Sequence, residues 1–442
     1  MKKIIAILCV VALVFSLFAC NKAAETQDTS IISKVTESVV KVTEKLTDVS
    51  DKNITLEPLG REDEEGSLLG PLAYGNSGDI ADATADFGFE LFRYSLAQGD
   101  NALVSPVSVM AALAMATDGA DGETLAEMEK VLGMTNEELR KNYGGYVHPA
   151  NSSEELRFAN SLWLRNDGSF QVNKNFVERT LEAYGADVFS EPFDAETKEK
   201  INYWISKNTD GEIENMLDEI PPEAVSYIIN TVLFEAEWAK PYSESDVREN
   251  QLFTAANGEK QTVTMLNSEE NYFVRIGKTK GFVKNYKGGE YAFVGLLPDE
   301  GVSVEDAAAS LSGEEFIGAV KNVEYKPVRV NIPKFSFDCK FELNDTLKSM
   351  GMPTAFNSEK ADFTNLGVSP KGNIYIGRVM HNTFIRFDEN GTKAGAATVV
   401  EFDCECAMLD IEYLAFDRPF IYAIVDTSTG MPIFIGAVES FG

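Results

Sequence analysis

The sequence predicts an α+β fold, and three observations lead there. Helical periodicity dominates from about residue 81 to residue 208. Beyond that point the apolar residues alternate or run on as strands do. No strand–helix–strand rhythm recurs, as a parallel α/β sheet would require, and no internal repeat is visible.

Ala81–Leu96 has helical spacing. The stretch NALVSPVS (101–108) sets up a second helix: Ser105 is a fitting N-cap, and Pro106 suits a first turn, where its missing N–H costs nothing. Val107–Met115 is apolar nearly all round, which marks it as buried. Thr124–Leu132 is helical and stops at Gly133. Leu156–Leu164 reads as a strand, Asn175–Tyr184 as a helix stopped by Gly185, and Ile201–Asn208 as a helix with Trp204 on its apolar face. Tyr227–Phe234 opens the strand-rich half. Val328, Val330 and Ile332 alternate, and after Pro333 the alternation resumes one residue out of phase as Phe335, Phe337, Cys339 and Phe341. A bulge or bend at Pro333-Lys334 accounts for the slip. Cys339 is then a small buried hydrophobe. Phe420–Val425 and Ile433–Val438 are nearly unbroken apolar strands, so both faces of that hairpin should be buried.

The 442 residues, 44% of them hydrophobic, suffice for one large domain or two smaller ones. A net charge of −31 repels phosphate backbones and argues against nucleic acid as a partner. The two histidines, His148 and His381, leave little for metal sites or histidine catalysis, and no cofactor is expected. Residues 1–19 read as an export signal: Lys2 and Lys3 precede an apolar run from Ile4 to Phe18, too short for a good membrane span. The run ends Leu17-Phe18-Ala19-Cys20, like a bacterial lipobox, so Cys20 is the expected lipidation site; an ordinary signal peptide with an incidental cysteine is the alternative. Residues 20–78 are then the lipidated cysteine and a flexible acidic tether. Ile32, Val35, Val39, Val42, Leu46 and Val49 follow a heptad spacing within it, compatible with a weak helix or stalk or with a short helical pair. Cys339, Cys404 and Cys406 remain after Cys20, with no zinc spacing and no evident disulfide framework.

Seven stretches, in order, resemble the serpin family across Asp79–Gly442. They are NALVSPVSV (101–109), INYWISKNTDGEIENML (201–217), INTVLFEAEW (229–238), YKGGEYAFVGLLP (286–298), IPKFSFDCKFELNDTLKSMGMPTAFNSEKADFTNL (332–366), HNTFIRFDENGTKAGAATVV (381–400) and DRPFIYAIVDTSTGMPIFIGAV (417–438). Two positions depart from the family pattern: Glu235-Ala236 stands where Lys-Gly is usual, and Lys393 where Glu is commoner. The resemblance implies a large mixed β-sheet with helices, further sheets and an exposed reactive loop at about 389–415, in a monomeric chain that is not an enzyme.

By the same resemblance, DENGTKAGAATVVE (388–401) is the hinge of a bait loop that later enters the main sheet as a strand. Its residues can be tested physically. Strand side chains alternate with period two. Thr392, Ala394, Ala396, Thr398, Val400 and Phe402 carry no charge and grow in size; Lys393, Gly395, Ala397, Val399, Glu401 and Asp403 carry every charge. That is the pattern of a strand with one buried face. Small leading residues suit a strand that must slide between two others. A Gly/Ala linker is the bland alternative, but Glu389, Gly391 and the run Ala394–Ala397 all match the hinge.

The resemblance further assigns Ser105, Ser108, Asn230 and His381 to a polar cluster under the sheet's opening point, and Trp238 to its top. It implies a suicide-substrate inhibitor: a protease cleaves the bait bond, the loop inserts, and the acyl-enzyme is trapped. Counting from Gly391 puts the reactive bond at Glu405–Cys406, within a window of Cys404, Ala407 and Met408. The expected partner is a serine protease, glutamate-selective or elastase-like, with a cysteine protease as a further option. The protein would be exported and held at a bacterial cell surface by its lipid, or released from it. The alternatives are a non-inhibitory member used as a surface binding protein, a solute-binding lipoprotein, whose α/β rhythm is missing, and a hydrolase, for which no G-x-S-x-G or HExxH motif is present.

Overall fold

The first helix of the domain, α1 (Ser77–Leu96), begins four residues before the helical spacing becomes visible in the sequence. The computed structural model describes residues 77–97, 101–392 and 411–441, with Ile54, Leu56 and Pro58 before them. Cys20, the heptad-spaced stretch, the hinge from Lys393 onward and the window Cys404–Met408 lie outside these residues.

Helix α2 (Pro106–Thr117) starts as its sequence requires: the Ser105 hydroxyl accepts the Ser108 N–H, and Pro106 occupies the first turn. It is buried almost throughout. Helices α3 (Gly122–Leu132) and α4 (Lys174–Tyr184) both end at a glycine in the left-handed region, Gly133 at φ 70° and Gly185 at φ 58°. Helix α5 (Ala195–Asn208) is six residues longer at its start than the apolar spacing indicates, because the Asp194 carboxylate caps it by accepting the Thr197 N–H. Shorter helices α6 (Val304–Ala309), α7 (Gly313–Lys321) and α8 (Asn344–Met350) complete the set that matters here.

The strands run in chain order from β1 (Ala102–Val104), β2 (Leu156–Arg165), β3 (Gln171–Val172), β4 (Asp187–Glu191), β5 (Ser226–Phe234) and β6 (Ala236–Glu237). The middle of the chain supplies β7 (Val247–Thr254), β8 (Lys260–Ile276), β9 (Thr279–Asn285), β10 (Tyr291–Pro298), β11 (Glu324–Pro333) and β12 (Phe335–Glu342). Last come β13 (Gly367–Val368), β14 (Met380–Phe387), β15 (Gly391–Thr392), β16 (Glu412–Ala415), β17 (Phe420–Asp426) and β18 (Pro432–Val438).

A nine-stranded sheet has the order β1-β18-β17-β10-β9-β8-β11-β16, with β7 paired to β8. Its C-terminal hairpin is buried on both faces, as its unbroken apolar sequence requires. Of the bulge or bend expected at Pro333-Lys334, the bulge does not occur: the chain there changes sheet. β11 ends at Pro333 in the nine-stranded sheet, and β12 begins at Phe335 in another. The parity slip therefore marks a new core face, not an extra residue in one ladder. Cys339 is buried on β12, and burial pushes its thiol up to about 11, which suits a small hydrophobe.

Two small sheets carry the functional argument. One has the order β4-β2-β5 and the other β12-β14-β15-β6. Since β6 continues the run of β5 after Glu235, the two sheets share one stretch of chain. A separate apolar cluster stacks Trp163 on Phe189 at 4.0 Å between ring centroids and includes Trp204 and Ile205 of α5; Leu56 packs against it.

Candidate functional site: a slot between two strand edges

β5 is hydrogen-bonded to β2 along its whole length, Leu156↔Phe234 to Leu164↔Ser226. Its other edge pairs with no strand among the described residues. β14 pairs with β12 from Phe335↔Phe387 to Glu342↔Met380, and on its other edge only Phe387 has a ladder partner, Thr392. Between these edges lies a cavity of about 750 Å³. β5 from Ser226 to Val232, β14 from Met380 to Thr383 and the segment 374–379 line it, along with Ile201 and Ile205 of α5. Unpaired strand edges beside an apolar cavity form a template for one more strand.

All four expected cluster residues line this slot. They do not form one network. Ser105 and His381 are joined: the Ser105 N–H donates to His381 Nε2 at 2.9 Å, and the Ser105 hydroxyl donates to the Ile433 carbonyl at 2.9 Å. Ser108 contributes its backbone N–H to the Ser105 cap. Asn230, on the facing edge, donates to Asn160 Oδ1 at 2.8 Å, while its own buried Oδ1 has no hydrogen-bond partner among the described residues, like Oδ1 of Asn382 on β14. The slot thus divides the cluster into two halves. Burial lowers the His381 pKa to about 4, so the ring is neutral at pH 7, and the Ser105 N–H fixes its proton on Nδ1.

The mouth of the slot holds the start of the hinge. Gly391 pairs with Glu237, and Thr392 pairs with both Ala236 and Phe387, so β15 is already a strand between β6 and β14. Gly391 is required there, since a Cβ would run into the Ala236 carbonyl oxygen. Thr392 is 4% exposed, with its side chain turned inward as its place in the alternation predicts. Its hydroxyl shares a 2.6 Å hydrogen bond with the buried Tyr286 hydroxyl. Glu389 lies in the turn before, ion-paired to Lys334 at 2.6 Å. Burial alone would raise its pKa, but the hydrogen bond and charge of Lys334 bring it below the usual value.

Trp238 is buried and more than a core aromatic. Its ring stacks on Tyr286 at 4.4 Å between centroids; its N–H donates to the Asn390 carbonyl at 2.8 Å, and its Nε1–H to the Asp388 carbonyl at 2.9 Å. The Tyr242 N–H holds the Glu389 carbonyl at 2.9 Å. Sequence reasoning did not single out Lys334, Tyr242 or Tyr286 for the hinge, although Tyr286 opens a quoted motif. At the departure Glu235-Ala236, Glu235 takes an ion pair with Arg157 at 3.0 Å, and Ala236 supplies the carbonyl that faces Gly391.

The two strand edges thus bound a strand-sized slot, with a neighbouring chain segment, β15, seated at its mouth. The chain belongs to the serpin family: the family model described as "Serpin (serine protease inhibitor)" matches residues 82–441. An uncharacterized serpin-like protein of Thermococcus kodakarensis is 31% identical over 376 residues, covering 83% of this chain and 86% of the relative. The mouse leukocyte elastase inhibitor A is 27% identical over 383 residues, covering 82% and 99%. Among solved structures, the thermophilic serpin tengpin in its native state is 42% identical with a TM-score of 0.78, covering 84% of this chain and 97% of that one. The fold is the serpin fold, in the α+β class, and the family is one of protease inhibitors rather than catalysts.

Proposed function

We propose that this chain inhibits a serine protease as a suicide substrate. The single observation that carries the reading is the seated hinge: Thr392 is a buried strand residue between β6 and β14, while the edges beyond it have no strand partner among the described residues. Continued in the same antiparallel register, residue 394 meets Phe234 and Ile385, and residue 398 meets Asn230 and His381. The uncharged alternate residues Ala394, Ala396 and Thr398 then face inward, and Thr398 arrives between the two halves of the divided polar cluster. The protease serine attacks the bait carbonyl, the new N-terminus leaves, and the acyl-enzyme remains on the freed loop. Uptake of that loop fills the slot and satisfies its edges, which supplies the free energy to displace and distort the protease before water resolves the ester.

Anchorage through Cys20 at the surface of an exporting bacterial cell belongs to the same proposal, supported by the lipobox-like Leu17–Cys20 and the polar segment after it. The test is a gel: purified protein mixed with glutamate-selective and elastase-like serine proteases should give an SDS-resistant complex of the summed mass. Cleavage of the loop by each protease without any such complex would leave the non-inhibitory binding protein as the better reading.

A further inference from the structure

Lys284 on β9 is a buried cation that the hinge chemistry above does not use. Its side chain is 3% exposed, and its ammonium donates to Glu270 on β8 at 2.8 Å, itself 12% exposed. The same nitrogen stands 4.5 Å from the ring centroid of Tyr242 and 5.5 Å from that of Trp238. An ammonium taken out of water is retained only with such partners, and removing one of them leaves the other charge stranded. Both rings belong to the residues that hold the hinge turn. Trp238 donates to the carbonyls of Asp388 and Asn390, and Tyr242 donates to that of Glu389. Trp238 also stacks on Tyr286, which shares the Thr392 hydrogen bond. One buried charge therefore stands behind the residues that hold the carbonyls of Asp388, Glu389 and Asn390.

An apolar pair of similar volume would fill this space with less desolvation. A point charge against two ring faces does something that apolar filler does not: it favours one placement of both rings. We propose that Lys284 and Glu270 are positioning residues for the hinge, clamping Trp238 and Tyr242 so that the segment after Thr392 enters the slot slowly until the bait bond is cut. The inference rests on the strand-uptake reading above.

The experiment uses the full chain, Lys284→Met with Glu270→Leu as an apolar replacement pair, and Glu270→Gln as a milder variant. Two quantities are read: the first-order rate of spontaneous conversion to a heat-resistant monomer on warming, and the ratio of protease complex to cleaved product. The unfolding midpoint before conversion serves as the control. The double variant should unfold within a few degrees of the parent yet convert about fivefold faster or more, with Glu270→Gln in between, and both should divert more molecules to cleaved product. If the double variant does not fold, Glu270→Gln decides alone. Conversion rates and product ratios within about twofold of the parent in the folded variants overturn the proposal and leave the uptake reading standing. A parent that gains no heat resistance even after its loop is cut overturns both.

Discussion

Thr392 and Tyr286 share a 2.6 Å hydrogen bond between two buried hydroxyls. One belongs to β15 and the other to the aromatic stack against Trp238. On the uptake reading proposed above, this bond seats the start of the loop before anything is cut. A buried hydroxyl held this way contributes on the order of 1 kcal/mol.

Thr392→Arg should turn the protein from an inhibitor into a substrate. The guanidinium would have to enter a site 4% exposed, at a cost of several kcal/mol. The loop should still be cut, but without a stable complex and without the gain in unfolding temperature that follows uptake. Thr392→Val, which forfeits only the hydrogen bond, should still trap protease. Equal complex yields from Thr392→Arg and the parent on a gel would refute the seating of the hinge.

The pair Lys334–Glu389 should stabilise the native state modestly and in a pH-dependent way. Both side chains are about a third exposed, so solvent screening holds the contribution to roughly 0.5–1 kcal/mol. Glu389 has a folded pKa below its ordinary value, so its contribution is present above the ordinary carboxylate range and is lost as the pH falls through the folded value. Lys334→Ala should lower the unfolding temperature slightly at pH 7 and hardly at all at pH 3. Glu389→Lys should be worse than Lys334→Ala, since it sets two cations together. The exchanged pair should recover part of the loss.

His381 should make the slot acid-sensitive. Its folded pKa of about 4 lies below the unfolded 6.5, so between these values the native state binds fewer protons than the unfolded chain. Stability is therefore full above about pH 6.5 and falls as the pH drops toward 4, by on the order of 3 kcal/mol. Protonation also removes the Nε2 acceptor of the Ser105 N–H. Denaturant midpoints of the parent and of His381→Gln, measured across this range, check the slope; a parent curve flat from pH 7 to 4.5 would contradict it.

Cys20→Ala should release the protein from membranes. The tether expected over 20–78 is shorter than that, because Leu56 packs against the Trp163–Trp204 cluster and α1 already begins at Ser77; the 35 residues from 21 to 55 have an r.m.s. reach on the order of 30 Å if they behave as a flexible chain, which would place the bait loop within range of a surface protease. Fractionation of expressing cells, with and without globomycin-type blockade of lipoprotein processing, distinguishes lipid attachment from adsorption. Variant protein that stays wholly in the membrane fraction would defeat the anchor.

How much of this was legible in the sequence varies with the length scale of the signal. Helix caps such as Ser105 and stops such as Gly133 and Gly185 are local, and they stand where expected. The inward turn of Thr392 is legible too, because strand parity survives in a short window. The slot is not: its walls are β5 and β14, and nothing in either segment's pattern says that it lacks a partner on one edge. Nor does any spacing rule pair Lys334 with Glu389, or Lys284 with Glu270 fourteen residues earlier on the neighbouring strand. The Pro333-Lys334 parity slip was visible, but alternation alone does not distinguish a bulge from a passage between sheets.

The last prediction concerns the bait bond. Its residues lie outside the described structure, so it rests on counting from an end that is described. Thr392 opposes Ala236, and the same register brings residue 402 opposite Ser226, the first residue of β5. An inserted strand of residues 392–402 therefore spans the slot wall, and a protease joined to Glu405 would be carried just beyond its far end. A bond nearer the hinge would leave the acyl-enzyme part-way along the sheet, with less displacement and less distortion. Glu405–Cys406 satisfies this count and lies about fourteen positions after Gly391, the spacing that the family resemblance implies. Glutamate at that position calls for a protease pocket that presents a cation. Cleavage after Cys406, Ala407 or Met408 would instead suit an elastase-like pocket that accepts small or unbranched apolar groups. A disulfide between Cys404 and Cys406 is not expected, since residues two apart cannot reach its geometry without strain. Mass spectrometry of the C-terminal peptide freed on complex formation decides. A fragment beginning at Cys406 supports Glu405; one beginning at Ala407, Met408 or Leu409 moves the bond toward the elastase-like class; one beginning outside 405–409 overturns the register from which the slot was filled.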